Sequence, residues 1–363
     1  MRSRAEGPAK SNANRSGASV MGRVSKRIGA AVAAVALTAL AFVTAAPEAR
    51  AQGALTKVTF GTDWLPEAEH GGFYQALATG LYKKHGLDVT IRQGGPNLNI
   101  VQNVAAGVVD FQLTQEPFFL FSNVQQNIPV VAIAAFFQKS SRVLITHPGQ
   151  GNDTLEQLKG KPIMISASAR NGYWLWLKSK FGYTDDQIRP YNFNSAPFLA
   201  DKNATQQGLL TSEPYSIEKE GGFKPHVILL ADFGYHDYNN LVIAQSKLVS
   251  EKPQLVQAFI DASIEGWYSY LYGDPRPANA LILKENKEMT ADLIASAIAL
   301  TKQYGIVDSG DALTLGVGAM TDAKWGAIFD GAASAKLYPA DLDWHKAYTL
   351  AFVDKKHGME LKK

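Results

Sequence analysis

Cysteine is absent from all 363 residues. That excludes a disulfide framework, thiolate zinc sites, iron–sulfur ligation, a cysteine nucleophile and a lipid anchor on a processed N-terminal cysteine. Charged residues are sparse at 19%, while 46% are hydrophobic and 10% aromatic. Such a chain is not disordered, and its length supplies one large or two medium domains with ample core. A basic surface is also missing. The net charge of +3 comes from residues 1–51, with eight Lys/Arg against Glu6 and Glu48; the remaining 312 residues hold 28 basic and 31 acidic side chains. No Lys/Arg run occurs there, so nucleic acid is not an expected partner. Catalytic signatures fail too: there is no Gly-x-Ser-x-Gly elbow, Walker loop, His-Glu-x-x-His or Gly-x-Gly-x-x-Gly. The seven histidines (70, 85, 147, 226, 236, 345, 357) lack metal-ligand spacing. His85 and His357, beside lysines, read as solvated. No catalytic residue, metal or cofactor is expected.

What is present begins with an export signal. Arg23, Lys26 and Arg27 precede an apolar stretch from Ile28 to Ala46, then Pro47 and Ala49-Arg50-Ala51. A basic region, an apolar region and a small-x-small site form a cleavable signal peptide, residues 1–51, with Gln52 as the mature N-terminus. The competing reading is a membrane anchor, since the stretch approaches spanning length. The Ala-rich composition and the processing site favour cleavage. Residues 1–20 resemble no part of a signal, and Met21 makes a more normal start. A mature protein outside the cytoplasm, in the periplasm, follows.

The rest alternates. Residues 57–61, 87–92, 110–114 and 129–137 read as strands, separated by helical stretches at 71–84, 99–106 and 117–126. The pattern restarts with strands at 142–146, 161–166, 191–194, 209–210 and 227–230, and helices at 154–160 and 171–180. After a strand at 241–245 the chain becomes helical over 253–272, 275–287, 290–304 and 321–333. This predicts two α/β units with mostly parallel, doubly wound sheets, plus a helical tail packed on one of them.

In open α/β sheets, ligands bind at loops beyond the carboxyl ends of strands. Five loops stand out: Asp63 to Tyr74 with Trp64, His70 and the Gly71-Gly72 pair; Thr114-Gln115-Glu116-Pro117; Ser166 to Trp174 with Ser168 and Asn171; Thr211-Ser212-Glu213-Pro214-Tyr215; and Gly234 to Asn239 with Asp237. Gly71 and Gly72 would let a ligand approach a helix N-terminus. The first three loops also have a plain structural reading: Trp64 as a core cap with His70 as a hydrogen bonder at the helix N-terminus, Glu116 as a first-turn acid, and the Ser166–Asn171 segment as an ordinary helix cap.

Together these residues carry a resemblance. Asp63-Trp64-x-Pro66-x-x-x-His70-x-Gly72-Phe73-Tyr74, Gly80-Leu81-Tyr82-x-x-x-Gly86-Leu87-Asp88-Val89, Gly107-x-x-Asp110-Phe111, Ile128 to Ala132, Phe137 to Ser140, Leu158 to Lys161, Glu213-Pro214-Tyr215 and Ala347-Tyr348-Thr349 resemble the thiamine-pyrimidine-precursor-binding family. These are periplasmic substrate-binding proteins of ABC importers, related to sulfonate and taurine binders. The resemblance implies a type II periplasmic-binding-protein fold, with lobe I at 52–143 plus 242–363, lobe II at 144–241, and a two-strand hinge. It brings all five loops to one cleft. Family relatives that synthesise the pyrimidine use a Cys-rich motif, which is missing here, so a binder rather than an enzyme is expected.

The expected ligand is a small flat heteroaromatic molecule. Trp64 with Tyr74 or Tyr215 would stack on it, and Glu213 or Glu116 would accept from ring amino groups. Ser166, Ser168 and Asn171 would orient it, with His70 and Asp237 also in the site. A membrane permease would recognise the closed, monomeric form. Alkylsulfonate, nitrate or flavin are the alternatives, and an oxyanion would want basic residues, of which the five loops offer only Arg170.

Overall fold

Two five-stranded sheets organise the described residues, 54–96 and 98–362, of a computed structural model. The signal-peptide reading and its cleavage site lie outside these residues. No helix among the described residues is long and apolar enough to cross a membrane.

The strands are β1 (Thr56–Gly61), β2 (Leu87–Arg92), β3 (Phe111–Thr114), β4 (Val130–Phe137), β5 (Arg142–Thr146), β6 (Ile163–Ile165), β7 (Ile188–Pro190), β8 (Thr205–Leu209), β9 (His226–Leu229) and β10 (Asn239–Gln245). The first sheet runs β2-β1-β3-β10-β4 and the second β7-β6-β8-β5-β9. The chain passes between sheets twice, after Phe137 and before Asn239. Both sheets are mixed, which departs from the mostly parallel expectation. β10 is antiparallel to β3 and β4, and β5 to β8 and β9. Each of these strands enters its sheet directly from the other one. It therefore runs opposite to neighbours whose carboxyl ends point back across the gap. That arrangement sets the loops after β1 and β3 facing those after β6, β7 and β8.

Helices cover the faces: α1 (Gly71–Ala78), α2 (Leu81–Lys84), α3 (Ile100–Ala105), α4 (Phe118–Gln125), α5 (Tyr173–Phe181), α6 (Ala196–Ala200), α7 (Glu213–Gly221), α8 (Ser246–Glu251), α9 (Pro253–Tyr272), α10 (Arg276–Glu285), α11 (Ala291–Gln303), α12 (Ala312–Leu315) and α13 (Asp322–Ser334). The helix expected over 71–84 is broken, because Gly80 takes a left-handed φ of 77° and separates α1 from α2. Residues 154–160 form turns rather than a helix, and β7 lies upstream of the expected 191–194.

The first sheet's core is aromatic. The Phe60 and Phe73 ring centroids are 4.7 Å apart, and Phe111 stacks on Phe259 at 4.2 Å. α9 packs on α1 at close range, with glycine on both sides. A Cβ on Gly266 would lie 2.3 Å from the Gly72 carbonyl oxygen, and one on Gly72 would lie 2.2 Å from Trp267 Cγ. Gly266→Ala will therefore lower stability by about 1–3 kcal/mol, despite alanine's better helix propensity, because a backbone atom cannot step aside. Urea unfolding checks this through a lower midpoint at unchanged slope.

Candidate functional site

The loop after β1 turns inward because Thr62 Oγ1 donates to the Trp64 carbonyl at 2.7 Å. It continues through a 3-10 turn at Ala68–His70 into α1. This buries Glu67, Glu69 and His70 at 7%, 3% and 0% exposure. His70 Nε2 lies 3.1 Å from Asp63 Oδ1, while His70 Nδ1 is buried with no partner among the described residues. Glu69 holds the two sheets together. Its side chain accepts from the Thr211 hydroxyl beyond β8, and its carbonyl accepts from Asn240 Nδ2 at 2.7 Å. Asn240 Oδ1 in turn accepts from Gln115 Nε2 at 2.5 Å.

Glu116, 3% exposed, meets the second sheet's side directly. Arg142 Nη2, at the head of β5, is 3.2 Å from its Oε1, and the Tyr235 hydroxyl donates to its Oε2 at 2.9 Å. Glu213 opens α7, where its Oε2 accepts from the Leu209 amide at 2.8 Å and its Oε1 from the Tyr191 hydroxyl at 3.3 Å. Half-buried Trp64 closes one side, its ring centroid 4.4 Å from that of Phe193 beyond β7.

Five carboxyls thus converge with one guanidinium. Burial pushes Glu67 well above the usual carboxylate range, and the charges of Glu69, Asp63 and Glu213 push it further. Burial also raises Glu69, Glu116 and Glu213. Asp63 goes the other way: burial would raise it, but its hydrogen bond to His70 and the charge there hold it below its ordinary value. Burial would lower Arg142, and Glu116 outweighs that to keep it charged. Chemically, this is a site rich in acceptors and poor in cations, suited to a ligand that brings amino groups or positive charge.

The structure brings Trp64, His70, Glu116 and Glu213 together. Ser166 is buried and caps a turn, its amide donating to Gln207 Oε1 at 2.6 Å and its Oγ accepting from the Ala169 amide at 3.4 Å. Ser168 is exposed, 3.2 Å from Ser166 Oγ, and Asn171 is exposed. Tyr74 is fully buried, and its hydroxyl donates to Glu285 Oε2 at 3.2 Å on α10. Tyr215 is half-buried, with Lys219 Nζ 5.4 Å from its ring centroid. Asp237 lines a neighbouring groove of about 240 Å³ with Trp176, Ser179, Tyr235 and Lys324. The Gly71-Gly72 expectation is corrected: the space beside both glycines is filled by Tyr270 and Trp267 of α9, so they serve helix packing and not ligand approach. His85 and His357 are also not simply solvated, because both contact Glu265.

Sequence reasoning missed Arg142, Glu67, Glu69 and Phe193 as site members. The signal for Arg142 was a lone charge heading the apolar run Val143-Leu144-Ile145. Glu67 and Glu69 stood inside the quoted first loop.

Residues 67–278 match the family described as NMT1/THI5 like. The chain belongs to that family. A riboflavin-binding protein, RibY, of Chloroflexus aurantiacus is 24% identical over 325 residues, covering 87% of this chain and 91% of the relative. A formylaminopyrimidine-binding protein of Halalkalibacterium halodurans is 24% identical over 246 residues, covering 66% and 74%. In three dimensions this NMT1/THI5-like chain is similar to the periplasmic aliphatic sulphonate binding protein SsuA of Escherichia coli, with a TM-score of 0.61 and 13% identity, covering 80% of this chain and 91% of that one. Its fold is accordingly the periplasmic-binding-protein fold of two α/β lobes. A desulfurization enzyme, DSZB, shares the fold at a TM-score of 0.53 and 13% identity. The fold alone therefore does not separate binders from catalysts.

Proposed function

We propose that this protein captures a small flat heteroaromatic molecule bearing amino groups, of the thiamine-pyrimidine-precursor kind, between its two sheets. It acts outside the cytoplasm, as a monomer and without catalysis, and delivers the ligand to an ABC permease. The observation that carries this is the buried set of Asp63, Glu67, Glu69, Glu116 and Glu213 around one Arg142, contributed from both sheets. Amino groups satisfy such carboxylates, whereas a sulfonate or nitrate would meet repulsion. The Trp64–Phe193 pair offers aromatic faces for a ring, each such contact adding about 0.5–1.5 kcal/mol beyond burial. Lobes at 52–143 plus 242–363 and at 144–241 would close on the ligand about the two crossings.

The formylaminopyrimidine-binding relative supports this ligand class. A flavin is the second reading, favoured by the longer match to the riboflavin-binding relative. Mass spectrometry of small molecules released from gently purified protein separates the two. With the ligand in hand, calorimetry will show weaker binding by roughly tenfold or more for Glu213→Gln, since a hydrogen bond to a charged group is worth about 1.5–3 kcal/mol, and by roughly two- to tenfold for Trp64→Ala from the lost stack. Circular dichroism controls for folding. Unchanged affinity in both variants would remove this cleft from consideration.

A further inference from the structure

Outside the acid cluster, two histidines converge on one carboxylate. His85 Nε2 lies 2.8 Å from Glu265 Oε1, and His357 Nε2 lies 3.1 Å from the same oxygen. The three potential donor atoms fall within 4.8 Å of one another. The imidazole rings stand nearly at right angles, 77° apart, with centroids 6.2 Å from each other. Glu265 is 9% exposed, while the histidine side chains are 19% and 32% exposed, leaving a path from solvent.

We propose that His85, Glu265 and His357 form a binding site for a divalent first-row transition ion, with zinc as the fitting example. Two imidazole nitrogens and one carboxylate oxygen are the donor set zinc takes, with solvent completing a tetrahedron. Bonds of about 2.0–2.1 Å in that geometry set ligand atoms about 3.3 Å apart. The two nitrogen–oxygen separations, 2.8 and 3.1 Å, need open only slightly to reach that value. Each Nε2 would present its lone pair to the metal and carry its proton on Nδ1. Lys84 Nζ, 3.3 Å from Glu265 Oε2, is the one neighbouring cation of this carboxylate among the described residues. Its side chain is 69% exposed and can swing into water.

The position gives the site a role. His85 ends α2, Glu265 sits midway along α9, and His357 lies in the C-terminal segment, where Gly358 packs against Tyr268 and Ile264. A bound ion would clip this segment to two helices of the first sheet's unit, closing a loop of many residues. Nothing in the site touches the acid cluster, so metal should stabilise the protein and leave ligand capture unchanged.

Tag-free, chelator-treated protein titrated with zinc chloride tests this by calorimetry and by thermal unfolding. The expected result is one zinc per chain with saturation in the micromolar range or tighter. At a hundredfold excess over the dissociation constant, the unfolding midpoint should rise by about 5 °C. His357→Ala and His85→Ala should each weaken zinc binding at least about tenfold, and the double variant should abolish both binding and the midpoint shift. Glu265→Gln should do the same if it folds; the half-exposed His357 keeps the test decisive if it does not. Magnesium and calcium should give no shift. Absence of saturable zinc binding up to about 100 µM, zinc binding that survives the double histidine variant, or an equal response to calcium would each overturn the site.

Discussion

Arg142→Met will destabilise the protein by about 3–5 kcal/mol near neutral pH, because it strands the Glu116 carboxylate in the interior. Arg142 Nη2 is 3.2 Å from Glu116 Oε1, and the two side chains are 15% and 4% exposed. Glu116 retains the Tyr235 hydroxyl at 2.9 Å as a donor, which is too little to hold a buried charge. The loss should shrink towards pH 5, since burial already raises the Glu116 pKa and protonation relieves the unpaired charge. Arg142→Met combined with Glu116→Gln should recover most of the stability, because removing both charges also removes the desolvation cost. Urea unfolding of the four proteins forms the cycle that measures the pairing. A methionine variant as stable as the parent would mean that water reaches Glu116 and that the two sheets do not meet there.

The same pair shows what a linear reading can and cannot find. The helical tail was legible almost residue by residue, since its caps are local. Thr290 accepts from the Leu293 amide, Thr321 from the Lys324 amide, and Pro253 opens α9. The loops after β1, β3, β6 and β8 were also legible, because turn residues follow apolar runs. Arg142 and Glu116 are neighbours only because the chain crosses from one sheet to the other between them. Nothing in either segment's pattern states that. Phe193 was hidden differently: it holds a φ of 59° outside any strand, a conformation that packing across the gap supports and that local preference opposes. The glycine pair at the start of α1 misled for a related reason. Small residues invite any close partner, and the partner here is α9, 194 positions on in the case of the Gly72–Gly266 approach.

Raising the pH from 5 to 8 will lower the stability of the ligand-free protein and raise its affinity for an amino-bearing heteroaromatic ligand. The sign follows from proton counting. Glu67, Glu69, Glu116, Glu213 and Asp237 all have folded-state pKa values above their ordinary ones, with burial the leading cause. Between the ordinary and the raised values the folded state binds more protons than the unfolded chain, so unfolding gains as protons are withdrawn. Asp237, raised from 3.8 to about 7, sets the window; over the two units from pH 5 to its folded value, at ~1.4 kcal/mol per unit, it alone accounts for roughly 3 kcal/mol if water stays out. Asp63 and Glu265, both lowered, lose their contribution only below about pH 4, outside this window. Lys324, depressed to about 8 by burial, restores some stability only at higher pH. Binding runs the other way, because a hydrogen bond to an ionised carboxylate is worth about 1.5–3 kcal/mol against roughly 0.5–1.5 kcal/mol for a neutral one, a gain of roughly five- to tenfold per bond. Thermal unfolding and calorimetry at unit steps of pH, with a ligand whose own charge is constant over the range, measure both. Glu67→Gln should flatten both profiles, as it removes the carboxyl with three acidic neighbours. Affinity that instead falls with rising pH would point to an anionic ligand held by Arg142, and the amino-bearing class would have to be given up.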